Sequence, residues 1–216
     1  MISPKYALTH YWRSKVTKAP HVVNLYLDYN CPFSGKLFQK LLKVIPALDE
    51  KHPGGFQFVF VNVIQPWHPN SVLLHEYSLV VAQLLREKVP EKSNELFWGV
   101  SNALFSKKEE FYDSATVSLG RNDIYKKINE TVYAAVSLPF DKADVLKKLE
   151  IPASSSASDA SNDGNGATVD VKYFTKYLRG VGVHVTPTVS VDGIVDGSVS
   201  SGSSPEELTK VFEGHL

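Results

Sequence analysis

The chain of 216 residues has a single cysteine, Cys31. An internal disulfide is therefore excluded, stability must come from packing, and the count suits a reducing compartment. Net charge is lacking too: Lys plus Arg and Asp plus Glu are 23 each. Nucleic acids and anionic membranes both require a basic face, so neither is an expected partner. No apolar run is as long as a membrane span. Residues 1–20 contain no apolar signal-peptide core. They are basic and free of acids, which leaves a mitochondrial presequence open, but two prolines and few serines better suit an arm covering the fold. Gly214-His215-Leu216 is only loosely similar to a peroxisomal tail signal. The cytoplasm is the expected compartment. No set of Cys, His and Asp has structural-metal spacing, and no tightly bound cofactor is expected.

What is present is ordinary for a globular chain, 43% hydrophobic and 21% charged, and long enough for a sizeable core. "HVVNLYLD" (21–28) reads as a strand. A helix is expected over 35–48, with Leu37, Phe38, Leu41, Leu42, Ile45 and Leu48 at helical spacing. "FQFVFVNVI" (56–64) is apolar on both faces, which suits an internal parallel strand. Strand, helix and strand make a right-handed crossover. Helical patterns follow over 70–88, 91–108, 121–138 and about 169–179, broken by the small, polar and flexible 153–166. Two short strands then flank a hairpin turn at Asp192-Gly193. Ser204, Pro205 and Glu207 open a last helix with a capping box. The fold class expected is α/β, a β-α-β and a β-β-α half around one four-stranded sheet. It is one domain over 1–216, with a helical insertion at about 66–180.

Cys31 lies in "YNCPFSG", between strand and helix, with Pro32 in the first helical turn. The partial positive charge and unpaired N–H groups of a helix start favour thiolate over thiol, the species that attacks disulfides. Ser34, one turn on, is placed to donate a hydrogen bond to the sulfur but cannot resolve a mixed disulfide. The plainer reading of Cys31 is a small buried hydrophobe. In "VTPT", Pro187 precedes a buried strand, where a proline cannot donate to the ladder; a cis bond after Thr186 is one use of it, a trans strand start the other. Trp67 and His68 either line the groove over Cys31 or form a rigid, proline-bounded loop with a partly packed indole. His184 is a candidate to lower the pKa of the thiol, Asp28 to raise it, or His184 is a solvated edge residue. His75-Glu76 lacks the second histidine of a zinc motif. Lys107, Lys108, Glu109 and Glu110 read as a solvated face.

"LYLDYNCPFSGKLF" and "GVGVHVTPTVSVDG", with helices inserted between them, resemble the DsbA-like branch of the thioredoxin superfamily. "QPWHP" (65–69) and "LHE" (74–76) make the match closest to its eukaryotic, largely fungal, single-domain members. The resemblance implies a thioredoxin fold with Cys31 as attacking thiol and Pro187 as the cis-proline. It implies that Thr186 offers its backbone to a bound thiol substrate, glutathione or an extended peptide, with Pro32, Phe33, Trp67 and His68 beside it. Ser34 departs from the dithiol pattern, which leaves a monothiol route: Cys31 forms a mixed disulfide with glutathione or a protein thiol, and an external thiol resolves it. Two alternatives stand. One is a kappa-class-like glutathione transferase or isomerase in which Ser34 assists the glutathione thiol. The other is a redox-inactive module that binds extended peptides beside Pro187.

Overall fold

The computed structural model describes residues 1–12 and 19–216. A turn at Pro4–Tyr6 leads into the short α1 (Ala7–His10), and β1 (His21–Leu27) follows. The part of the expected covering arm that falls on 13–18 lies outside the described residues. Within the described part, Ile2, Tyr6 and His10 are buried.

Pro32 occupies the first turn of α2 (Pro32–Lys51), where its missing N–H costs nothing. The helix thus begins three residues before the expected start and continues through Pro46. Its buried face carries Leu37, Phe38, Leu41, Val44, Ile45 and Leu48. β2 (Phe56–Asn62) pairs in parallel with β1, Leu27 opposite Asn62. It is buried throughout, yet it is an edge strand and not an internal one, because the sheet order is β2-β1-β3-β4. Helices cover both its faces, and Trp12 N–H donates to Phe58 O along its outer side at 2.8 Å. On one face Phe58 packs edge-on against Phe212, and Phe60 meets Phe97, Trp98 and Phe105.

Between β2 and β3 stand α3 (Ser71–Lys88), α4 (Ser93–Ser106), α5 (Asp113–Thr116), α6 (Arg121–Ala135), α7 (Lys142–Leu149) and α8 (Thr168–Val181). The sequence pattern misses α7: it is short and lysine-rich, and buries only Val145 and Leu149. Residues 152–164 are exposed, as their composition suggests. The base of that loop is pinned nonetheless, since Asn165 Nδ2 donates to Leu149 O at 3.2 Å and Gly166 N–H to Lys148 O at 2.8 Å.

β3 (Thr188–Val191) runs antiparallel to β1 and turns into β4 (Ile194–Val195). Asp192 and Gly193 both take positive φ, 53° and 89°, as a two-residue hairpin of this hand requires. α9 (Pro205–Glu213) opens with the expected capping box: Glu207 N–H donates to Ser204 Oγ, and Ser204 N–H to the Glu207 carboxylate.

Candidate active site

Cys31 is the N-cap of α2, with extended backbone, and its carbonyl accepts from Gly35 N–H at 3.1 Å. Its sulfur is 3% exposed at the level of the residue and lies 3.5 Å from Thr186 O. The Thr186–Pro187 bond is cis. Thiol and proline thus come together across 155 positions of sequence. Gln65 holds the proline loop in place: its Nε2 donates to His184 O at 3.2 Å and to Thr186 Oγ1 at 3.5 Å. Three large apolar side chains stand open on the segments that converge here, Phe33 at 60%, Trp67 at 60% and Val185 at 62% exposure.

Ser34 does not serve the sulfur. It is fully buried, and its hydroxyl accepts from Asp28 N–H at 3.3 Å; among the described residues it makes no hydrogen bond to Cys31. The first turn of α2 folds back onto the end of β1, which aims Ser34 into the sheet. Trp67 is 60% exposed, so its indole is at most partly packed. Trp67 lines a groove of about 360 Å³ with Gln65, Phe174, Leu178, Arg179 and His184, and Cys31 is not among the lining residues. His68 turns away from that groove toward Asp28. The side chain of His184 is exposed and makes no hydrogen bond among the described residues; its contribution to the site is its carbonyl.

Asp28, the residue after β1, is a fully buried carboxylate. Its oxygens accept from Asn30 N–H at 2.9 Å, Ser71 Oγ at 2.7 Å and His68 Nδ1 at 2.7 Å. His75 Nε2 stands 3.5 Å away. Burial alone would raise the pKa of this carboxyl; His75 above all, then His68 and Ser71, outweigh it and hold it below the usual carboxylate range. The chain of bonds continues inward. Asn62 Nδ2 donates to His75 Nδ1 and Asn62 Oδ1 accepts from His10 Nε2, both at 2.8 Å. Asn62 thereby fixes Nε2–H on His10, while the Nε2 of His75 lies 3.4 Å from Tyr29 N–H as well as beside Asp28. His10 is sealed between Phe97 and Phe174. Burial, and then the charge of Arg86, depress it to about 3 against the raising bond to Asn62, so it stays neutral.

Two neighbours of the thiol escaped the sequence reading. Lys108 is not a solvated residue: its side chain is largely covered and lies across the first turn of α2. A Cβ on Gly35 would come within 3.0 Å of Lys108 Cδ and Cε. Tyr112 lies near enough for the charge of Cys31 to act on it. Burial first, then Glu109 and Cys31, raise its phenol above the ordinary value. Asn30 and Asn70 tie this segment down, both donating to Phe111 O, at 3.3 and 2.9 Å. Nothing local marks Lys108 or Tyr112. His75 did leave a signal, because Ser71, His75 and Ser78 form a polar stripe at helical spacing on an otherwise apolar helix.

A cysteine at a helix N-terminus against a cis-proline, on a β-α-β and β-β-α sheet, defines a thioredoxin-fold thiol site. The chain belongs to the thioredoxin family, whose model matches residues 16–213. Solved structures with the same architecture include a candidate protein-disulfide isomerase from Pseudomonas syringae (24% identity, TM-score 0.66, covering 90% of this chain and 94% of that one). MdbA, a thiol-disulfide oxidoreductase from Corynebacterium diphtheriae, matches at 15% identity and TM-score 0.60, covering 94% and 86%. BdbD from Bacillus subtilis matches at 17% and 0.58, covering 92% and 88%. Among curated proteins no sequence matches. No helix among the described residues is long and apolar enough to cross a membrane, and no cluster of His, Cys, Asp and Glu among them could hold a metal ion.

Proposed function

We propose that the protein is a DsbA-like thiol-disulfide oxidoreductase of the eukaryotic single-domain type, acting through Cys31 alone. The observation that carries this reading is the sulfur of Cys31 at a helix N-terminus, 3.5 Å from the carbonyl that precedes cis-Pro187. A substrate strand that pairs with the backbone at Thr186 lays its own sulfur against Cys31. The exposed Phe33, Trp67 and Val185 offer apolar contacts to a peptide on either side. Cys31 takes one half of a disulfide as a mixed disulfide, and glutathione or a protein thiol releases it. Cytoplasmic thiol pools would supply that second thiol. The transferase reading is weakened by Ser34, whose hydroxyl is buried and committed to Asp28 N–H.

The test is intact-mass analysis after exposure of the native protein to glutathione disulfide. One glutathionyl group should add at Cys31, leave on addition of glutathione, and be absent from Cys31→Ser. Ser34→Ala should still react. If the native thiol takes no glutathione while the denatured chain does, the exchange mechanism is wrong and the fold serves binding alone.

A further inference from the structure

The turn Gln65–His68 touches both halves of the thiol site. Gln65 holds the proline loop, His68 holds the carboxylate under the thiol turn, and His68 N–H closes the turn on Gln65 O at 3.1 Å. Asp28 O in turn accepts from Cys31 N–H at 3.1 Å. His68 therefore rests against the turn that carries the nucleophile. It donates Nδ1–H to a buried anion, which leaves Nε2 as a lone pair on a ring that is partly exposed. His75 and His10 belong to the same chain of bonds but are sealed from solvent. Asp28 is sealed as well, with both oxygens occupied. Of these groups only His68 has a free nitrogen and an open face.

We propose that His68 is the proton-transfer residue of the disulfide exchange, and that Asp28, His75 and Asn62 position it. The proposal rests on Cys31 being the nucleophile. In the first step Cys31–S⁻ attacks R–S–S–R′. The Cys31–S–S–R bond forms, the R–S–S–R′ bond breaks, and the leaving R′–S⁻ takes the proton of the His68 imidazolium. In the second step an incoming R″–SH returns a proton to His68. R″–S⁻ attacks the sulfur of R, R″–S–S–R leaves, and Cys31–S⁻ is restored. One disulfide is exchanged for another, with no net oxidation. Alkyl thiolates are basic, with thiols near about 8.5, so protonating the leaving group matters for them. Aromatic thiolates carrying nitro and carboxyl groups leave without a proton.

That difference provides the test. Rates of Cys31 with glutathione disulfide and with the aromatic disulfide of nitrothiobenzoate are compared in the wild type, His68→Ala and His68→Gln. Gln keeps a donor for Asp28 but has no titrating nitrogen, so it guards against a merely unfolded variant; thermal melts check both. The glutathione-to-aromatic rate ratio should fall by about 100-fold in each variant, at the low end for general acid–base catalysis. Imidazole in the buffer should restore it for His68→Ala. A pH profile of the ratio should flatten in both variants. The titratable groups that face His68 in that profile are Asp28 and, across it, His75. An unchanged ratio, or equal losses with both disulfides, overturns the role of His68 while leaving Cys31 as nucleophile. A wild-type thiol that reacts with neither disulfide overturns both readings.

Discussion

Acidification from pH 7 to pH 5 should destabilise this protein chiefly through His10. The ring is fully buried, stacked 4.4 Å from Phe97 and 5.3 Å from Phe174. Nε2 donates to Asn62 Oδ1, and Nδ1 lies 2.9 Å from Thr9 Oγ1. A second proton would have to enter this space beside Arg86, itself bonded to Thr9. The folded value of about 3 lies below the ordinary 6.5. The unfolded chain therefore binds the proton first, so stability is complete above pH 6.5, falls as pH drops, and levels off only near pH 3. At about 1.36 kcal/mol per pH unit, the loss between pH 7 and pH 5 is about 2 kcal/mol. Asp28 and Asp170, both held below their ordinary 3.8, cost stability only in a more acid window. The assay is urea denaturation followed by far-UV circular dichroism at both pH values, in wild type and His10→Gln. The quantity of interest is the difference between pH values and not the absolute stability of the variant. A wild type equally stable at pH 7 and pH 5, or a His10→Gln protein that loses the same amount, refutes the argument.

Asn62→Ala removes the shared partner of His10 and His75, leaving two buried nitrogens unpaired. At about 1–3 kcal/mol each it should cost around 3–4 kcal/mol and lower Tm by roughly 10 °C; a change below 1 kcal/mol would show that these bonds are replaced, for example by water. Ser204→Ala breaks the capping box of α9 and should cost about 1 kcal/mol in the same urea titration, with the glutathione reaction of Cys31 unchanged.

The β-α-β half was readable because each element carries an unmixed signal: dense β-branched and apolar runs for β1 and β2, and Leu and Phe at helical spacing on α2. Cys31 and Pro187 each stand out locally, a lone thiol at a helix start and a proline against a strand, but it is the resemblance to the DsbA-like branch that pairs them. The edge position of β2 was not readable, since burial on both faces looks the same whether helices flank an edge or an internal strand. Nor was the partner of Ser34, which depends on how the first turn of α2 folds back on β1. The network from His10 to His68 joins residues from α1, β2 and α3 with others from the segments that follow β1 and β2. Apart from His75, which belongs to a polar stripe on an apolar helix, its side chains are unremarkable in their own segments, and only packing reveals the line they make. Lys108 was misread for the same reason: a charge run says nothing of a glycine 73 positions earlier that leaves room for a lysine stem.

The exposed loop 152–164 divides the chain so that the thiol belongs to one piece and the cis-proline to the other. A cut there would leave α8 clasped by Lys5 and Gln83, both bonded to Asp170, and β3 paired with β1. The protein is thereby laid out as a natural two-fragment reporter. Neither piece holds a complete site, and recovered thiol chemistry would read out their reunion.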